Sequence, residues 1–474
     1  MSSNPGRNRH RLYLLGSAVT ILLVYFSSLH ADYLPIDDGG VLQTFQSGDF
    51  SISDFFLHGG KEYYRPLAAL SLLGDFYLFG GKTSGYHITN VLIHLCNTLL
   101  IYYLTSLLLK GTRDTAFYSF IAGLIFAVHP VNSETVVWIS CRPDLLCCLF
   151  SLLSLVIVIK SERITAPAIF ISLFFVYICS LLAKEASFFL PLIIVYYYFQ
   201  ERKYISTQKT VAASAAISLA IGLYLLLRKG LPHISATGET LTAKHGVFSS
   251  QALLDIIAAF GFYIRKLLFP FPLNFTITEI NSTLYASLLI IFIAAAVFLR
   301  KNSTGFRFPI LFLATSLIPP IGAMLLIPIW TPYAERYLYL PSVAFALCAT
   351  CVIYRFGKRI PHAIVTVCVL ALAFPTALRV QLWTKPLPFW QDAVSKAPNF
   401  ATSRLVLASE YLKSGDYQKA EENLRLAVRL GLHKKSLEPS IEIKKQLEMK
   451  TGRIIEFPSR PGKVTKIPIV PHMP

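Results

Sequence analysis

Hydrophobic and polar positions along this chain come in long blocks. Apolar runs recur at 12–29, 86–109, 117–137, 143–159, 166–182, 187–200, 210–227, 284–299, 308–327, 340–354 and 361–379. A helix needs about 17 to 25 apolar residues to cross a bilayer. Most of these runs reach that length, and they predict a polytopic helical bundle of about 11 spans. The polar stretches between the runs alternate in character. Short loops at 110–116, 160–164 and 201–209 hold Lys110, Arg113, Lys160, Arg163, Arg202, Lys203 and Lys209. Lys and Arg are retained on the cytoplasmic side, so these loops are assigned to it. The intervening stretches 31–85, 130–142 and 183–186 are then outward. Arg7, Arg9, His10 and Arg11 precede the first run and place the N-terminus in the cytoplasm. His30-Ala31 loosely resembles a signal cleavage site, but the run before it exceeds a usual signal core, and a retained span is expected.

Residues 251–268 are the ambiguous stretch. As a helix they rise about 27 Å, nearly enough to span. A crossing there would put Arg300, Lys301, Arg307, Arg355, Lys358 and Arg359 outside. Asp255, Arg265 and Lys266 suit a helix lying in the interface. That choice places loop 328–339 and everything after residue 380 on the outer face.

Composition agrees with a membrane protein. The chain has 474 residues, 54% hydrophobic and 15% charged, with a mean hydropathy of +0.54. Soluble domains carry about 25% charged residues. The net charge of +18 sits in short clusters between apolar runs. No basic stripe interleaved with aromatics offers a path for nucleic acid. Cysteines fall mainly in apolar runs, where they behave as small hydrophobes. Cys348 and Cys351 form a C-x-x-C without a second pair or a nearby His, and neither this nor any H-x-x-H or acid cluster points to a divalent metal.

From Gln381 the sequence turns soluble and charged. Leu407, Ala408, Tyr411, Gly415, Tyr417, Ala420, Leu424 and Ala427 take the small and large positions of one tetratricopeptide repeat, a unit of about 34 residues. Residues 389–398 read as the second helix of a degenerate preceding repeat. The predicted division is a transmembrane domain over 1–380, a repeat-like helical module over 381–450 and a Pro-rich basic tail over 451–474. Roughly three repeats make a stable stack. The module is therefore expected to lean on the membrane domain, a protein partner or a second copy.

With this topology the chemistry-bearing residues gather on the outer side. The first loop offers Asp37 and Asp38 beside Gly39 and Gly40, then Glu62 and Arg65. The second offers His129, Glu134, Arg142 and Asp144, the third Lys184 and Glu185, and loop 328–339 Glu335 and Arg336. Ionisable residues at span ends are costly and mark function by default. Plain readings stand beside this one. Asp and Gly are ordinary turn residues. Lys184 with Glu185, and Arg142 with Asp144, would serve as local ion pairs. Glu134 would be a first-turn acid on a helix dipole. His129 before Pro130 would end a helix.

The blocks carrying these residues run in a recognisable order: DDGG at 37–40, YRPLAALSLLGDFYLFG at 64–80, GYHITNVLIHLCN at 85–97 and HPVNSETVVWISCRPDLL at 129–146. KEASFFLPLIIVYYY at 184–198, FYIRKLLFPFPLNF at 262–275 and AERYLYLPS at 334–342 follow. In this order the chain resembles the transmembrane-and-tetratricopeptide-repeat family of O-mannosyltransferases, within the GT-C class of polyprenyl-phosphate-sugar-dependent glycosyltransferases. Two features depart from it. The repeat region is short, which suggests a bacterial member, in an inner membrane. Cys141-Arg142-Pro143-Asp144 stands where Gly-Arg-Ala-Asp or similar is usual.

The resemblance implies an all-α GT-C-like bundle with an outward active site. It implies transfer of mannose or a similar hexose from a polyprenyl-phosphate donor to a hydroxyl of a protein or glycan acceptor, with inversion. A first-loop acid would take the hydroxyl proton, Asp38 before Asp37. Arg65, Arg142, Lys184 and Arg336 are the candidates to hold the leaving phosphate, with His129, Glu134, Asp144, Glu185 and Glu335 around them. Two other classes remain at this point. A transporter or flippase would carry internal repeats and acids near span centres. A membrane scaffold displaying the repeat module would need no converging acids and bases.

Overall fold

The computed structural model describes residues 5–34, 37–48, 51–57, 64–112, 114–201, 203–229, 249–302, 307–326, 331–356, 362–432 and 436–455. Glu62 and the tail from 456 lie outside them. The described residues are helical almost throughout, and among them a single isolated bridge, Ile277 with Tyr333, pairs extended backbone. Two compact units divide at Thr384 and Lys385.

In the first unit, eight helices are long and apolar enough to cross a membrane: Asn8–His30, Thr83–Leu108, Ile139–Ile159, Ala166–Ala183, Thr207–Arg228, Arg307–Met324, Glu335–Phe356 and Ala363–Trp383. Pro66–Phe79, Thr115–Ala127 and Ser282–Phe298 are apolar but shorter. This is a membrane protein, and its outer helical faces say why. Leu15, Leu23, Leu226, Ile290, Val367 and Phe374 are exposed. Large apolar side chains in such a row along helices face lipid more naturally than water.

Several predicted runs break where the backbone must turn. The run at 117–137 ends its first helix at Ala127, before His129-Pro130, and resumes as the short helix Asn132–Val137. The preceding residue of a proline is driven from helical backbone, and this break brings 130–141 to the helix ends. The run at 308–327 divides likewise into Arg307–Ser316 and Ile318–Leu326, ahead of Pro319 and Pro320. The run at 187–200 begins as a tight 3-10 turn over Glu185–Phe189 and is α-helical from Leu190 to Gln200. The loop at 31–85 is itself largely helical, with Asp38–Ser47, Ile52–Leu57 and the apolar Pro66–Phe79.

Residues 251–268 fold as one helix, Ser250–Leu268, whose Ser249 side chain accepts from the Ala252 N–H. Its buried face packs on Ser282–Asn302. Contact is closest at Gly261, where a Cβ would lie 1.9 Å from the Tyr285 carbonyl oxygen. The charges read as interfacial are mostly internal: Asp255 accepts from Ser282 at 2.8 Å, and Lys266 is 3% exposed.

The second unit is four consecutive helices, Pro386–Lys396, Ala401–Ser414, Tyr417–Leu430 and Leu437–Thr451. Gly415 takes φ +83°, the left-handed turn between two of them. Asp416 caps the next helix by accepting from the Lys419 N–H at 3.2 Å. Ala408, Ala420, Leu424 and Ala427 are fully buried.

Candidate active site

The site is built on one five-residue link, Trp138 to Arg142, between the short helix Asn132–Val137 and the long helix Arg142–Ile159. Each of its polar groups is held by a different element. The Ser140 N–H donates to Asp38 Oδ1 at 3.0 Å, and the Ser140 hydroxyl donates to the same oxygen. Asp38 Oδ2 accepts from the Leu34 N–H at 2.9 Å. Asp38 is 2% exposed, whereas Asp37, one residue earlier, is exposed. Burial pushes the Asp38 carboxyl up to about 6, against the pull of its Ser140 and Leu34 donors and with a small push from Asp37.

Arg142 is completely buried and does not pair with Asp144. It donates to Asp75 Oδ2 at 2.6 Å, Ser71 Oγ at 2.8 Å and the Tyr86 carbonyl at 3.0 Å, and also to Asn90 Oδ1. This closed network joins Pro66–Phe79, Thr83–Leu108 and Arg142–Ile159. It engages four of the five guanidinium N–H groups in a fully buried setting, so Arg142 acts here as a tie between helices.

Lys184 and Glu185 do not neutralise each other. Lys184 Nζ lies 2.7 Å from both oxygens of Asp144. Arg65 grips Glu185 with two bonds, Nη2 to Oε1 at 2.6 Å and Nε to Oε2 at 3.2 Å. Burial alone would raise the Glu185 carboxyl, but the Arg65 guanidinium, helped by Lys184, holds it down to about 2. Both members of that pair stay over a fifth exposed.

Arg336 donates to Glu134 Oε1 at 2.8 Å. Its guanidinium lies over the Trp138 ring at 5.2 Å and the Tyr337 ring at 5.0 Å. Lys184 sits 5.7 Å from the same Tyr337 ring. One tyrosine thus lies beside two cations from separate helices, each with its carboxylate. Cation–ring contacts of this kind hold a charge without consuming its donors. Glu335 faces elsewhere. Its Oε1 accepts from Lys266 at 2.6 Å and from the Asn274 N–H at 2.9 Å. His129 is also a brace: Nε2–H donates to the Leu267 carbonyl at 2.9 Å, leaving Nδ1 to accept from Val131. Among the described residues no group of three His, Cys, Asp or Glu side chains converges as a metal site.

Of the residues singled out in the sequence, then, Asp37, Asp38, Glu134, Asp144, Lys184 and Arg336 come to the neighbourhood of the 138–142 link, and Arg65 with Glu185 adjoins Lys184. Arg142, His129 and Glu335 hold the framework. Sequence reasoning passed over Asp75, Trp138, Ser140, Lys266 and Tyr337. Asp75 carried a usable signal, being the single acid in the apolar block 64–80. Ser140, Trp138 and Tyr337 carried none, because their roles depend on partners distant in sequence.

No family model matches the chain. A protein O-mannosyl-transferase of Caenorhabditis elegans is 24% identical over 436 residues, covering 86% of this chain and 61% of its own length. The human protein O-mannosyl-transferase TMTC4 is 36% identical over 125 residues, 24% of this chain and 17% of its own. The Xenopus laevis tmtc2 protein O-mannosyl-transferase is 37% identical over 160 residues, 31% of this chain and 18% of its own. The chain therefore spans about three-fifths of the nematode relative and under a fifth of the vertebrate ones. Among solved structures, ArnT from Cupriavidus metallidurans bound to undecaprenyl phosphate aligns over 93% of this chain and 77% of its own, at 12% identity. Its TM-score of 0.38 is too low for any argument to rest on it. The family resemblance carried by the ordered blocks is matched by these relatives: the chain is similar to protein O-mannosyl-transferases, to the nematode one along most of its length and to the TMTC-type ones over a quarter to a third of it.

Proposed function

We propose that this membrane protein transfers a hexose, mannose or a close analogue, from a polyprenyl-phosphate donor to a protein hydroxyl on the extracytoplasmic face, with inversion. The observation that carries the reading is that one short link holds the first-loop acid Asp38 at Ser140 and Arg336 over Trp138, with Lys184 beside the same Tyr337 ring as Arg336. In such a transfer the acceptor oxygen bonds to the anomeric carbon as the bond from that carbon to the phosphate oxygen breaks. The hydroxyl proton goes to a carboxylate, and the lipid phosphate leaves as an anion. An acid and a pair of cations within one site meet those two needs.

The roles divide by accessibility. Asp38 ranked first from sequence, but its oxygens already accept three donors and it is closed from solvent. Asp37 is exposed beside it and is the acid that an acceptor hydroxyl can reach. In this reading Asp37 takes the proton and Asp38 fixes the start of the Asp38–Ser47 helix against Ser140. Arg336 and Lys184 receive the leaving phosphate, with Asp144 and Glu134 balancing them beforehand. Arg336 is the stronger candidate because its planar fork suits phosphate oxygens. The test is purified protein in detergent, given polyprenyl-phosphate mannose and a serine- or threonine-bearing peptide. Mannosyl peptide and free polyprenyl phosphate should appear together. Their absence, with the donor bound and the fold intact, would remove the transferase reading.

A further inference from the structure

Two polar atoms beside Arg336 are left over by the network described above. Glu134 Oε2 is buried and has no hydrogen-bond partner among the described residues, although Oε1 is bonded to Arg336. Trp138 Nε1, a donor only, is likewise buried without a partner among them. Glu134 is 2% exposed and Trp138 3%. The two residues are one helical turn apart, with the Trp138 N–H donating to the Glu134 carbonyl at 3.0 Å. The same guanidinium is bonded to one and stacked on the other. A buried carboxylate oxygen and a buried indole N–H each cost free energy when unpaired, so such atoms call for an occupant.

What they ask of it is specific. The carboxylate needs a donor and the indole needs an acceptor. A hydroxyl group supplies both at once, its O–H to Glu134 and its oxygen lone pair to Trp138. An ammonium or a phosphate dianion supplies only one, and a water, which supplies both, is the occupant that the test below must exclude. The position next to Arg336 also fits. On the transferase reading, the cation that holds the phosphate is one bond from the groups that would meet the sugar attached to it.

We propose that Glu134 and Trp138 form a hydroxyl-recognition site for the sugar of the lipid-linked donor, and so set which hexose the protein accepts. This inference rests on the transferase reading and names its specificity determinant. Trp138→Phe is the clean probe. It removes the N–H and keeps an aromatic face under Arg336, so the phosphate cation stays in place.

The experiment measures equilibrium binding in detergent by thermal shift, which requires no turnover. The ligands are polyprenyl phosphate, polyprenyl-phosphate mannose and a panel of mono-deoxymannose donors. Wild type should bind the sugar-bearing lipid more tightly than the bare phosphate. In Trp138→Phe the preference for the mannose donor over the bare phosphate, read as the ratio of the two affinities, should fall about tenfold, whatever the change of ring does to phosphate binding itself. One deoxy donor should impose the same loss on wild type and no further loss on Trp138→Phe. An undiminished mannose preference in Trp138→Phe would overturn the proposal, as would losses that add for every deoxy position, since the pair would then hold a buried water only. If the variant fails to fold, the deoxy panel on wild type decides alone: no position that erases the preference means no such site. Wild type that binds neither lipid overturns the transferase reading itself, an outcome distinct from either of these.

Discussion

At the scale of single residues, the charges were legible and their partners were not. The sequence marks Asp37, Asp38, Glu134, Lys184 and Arg336 because ionisable groups stand out in an apolar chain. It offers local pairings for Lys184 with Glu185 and Arg142 with Asp144, and the fold uses neither. The true partners lie 40 to 202 residues apart, a relation set by helix packing alone. Asp37→Asn should reduce transfer by about 10²- to 10⁴-fold with donor binding retained. Asp38→Asn turns its N–H pair toward the donor at Leu34 or those at Ser140 while its remaining oxygen still accepts from the other, and should cost transfer less than Asp37→Asn, by loosening the loop. Transfer assays on both variants check this; the reverse order would make Asp38 the base. The acid pair also sets a pH dependence. The Asp38 carboxyl titrates at about 6 in the fold, above the ordinary value of about 3.9. Its stabilising contribution is therefore full below pH 4 and lost as pH rises through 6. Wild type should show a thermal midpoint that falls between pH 4 and 7 relative to Asp38→Asn. A flat difference would mean that Asp38 is not closed from water.

At the scale of elements, the apolar runs predicted helices well, and the errors fall at prolines. The apolar run at 117–137 crosses His129-Pro130, read from sequence as a helix end, and the break there creates the link on which the site is built. Helix 250–268 shows the opposite limit. Its charges suggested a helix lying at the lipid surface, but Lys266 and Asp255 are spent on protein partners. Gly261 is the position that tests that packing. A methyl group there meets the backbone of Tyr285, which cannot rotate away. Gly261→Ala should destabilise by about 1–3 kcal/mol or more, read as a lowered thermal midpoint; an unchanged midpoint would mean the two helices do not pack this closely. The Arg142–Asp75 tie is a second element-level test. Asp75→Leu leaves a buried guanidinium unpaired, at a cost of about 3–5 kcal/mol. The double variant Asp75→Leu with Arg142→Met should recover most of that loss. Equal losses in single and double variants would show that the pair is not what joins the three helices.

For the whole molecule, the alternation of basic loops gives a topology that the packing alone does not reveal. Cysteines introduced in 40–48 and 401–430 should react with an impermeant reagent added outside, and one in 303–306 should not. Labelling of the latter would restore residues 251–268 as a crossing. The boundary at Thr384 invites a further cut. Removal of everything after it should spare donor binding and impair transfer to a large protein acceptor more than to a short peptide. Loss of donor binding in a well-folded remainder would make the C-terminal helical unit part of the site.

On the transferase reading, the matched charges around the candidate site bear on how a donor would arrive. Arg65, Lys184 and Arg336 each hold a carboxylate within 2.8 Å. The chain's surplus of +18 is thus spread over its other parts, and the cluster presents no strong long-range field to an incoming phosphate. An anionic headgroup that settles on Arg336 swaps partners with Glu134 at contact distance, inside a Debye length of about 8 Å at physiological salt. Capture is then governed by lateral diffusion of the lipid in the bilayer and by the exchange itself. Ionic strength, which slows electrostatically steered enzymes steeply, should leave the donor on-rate here nearly unchanged.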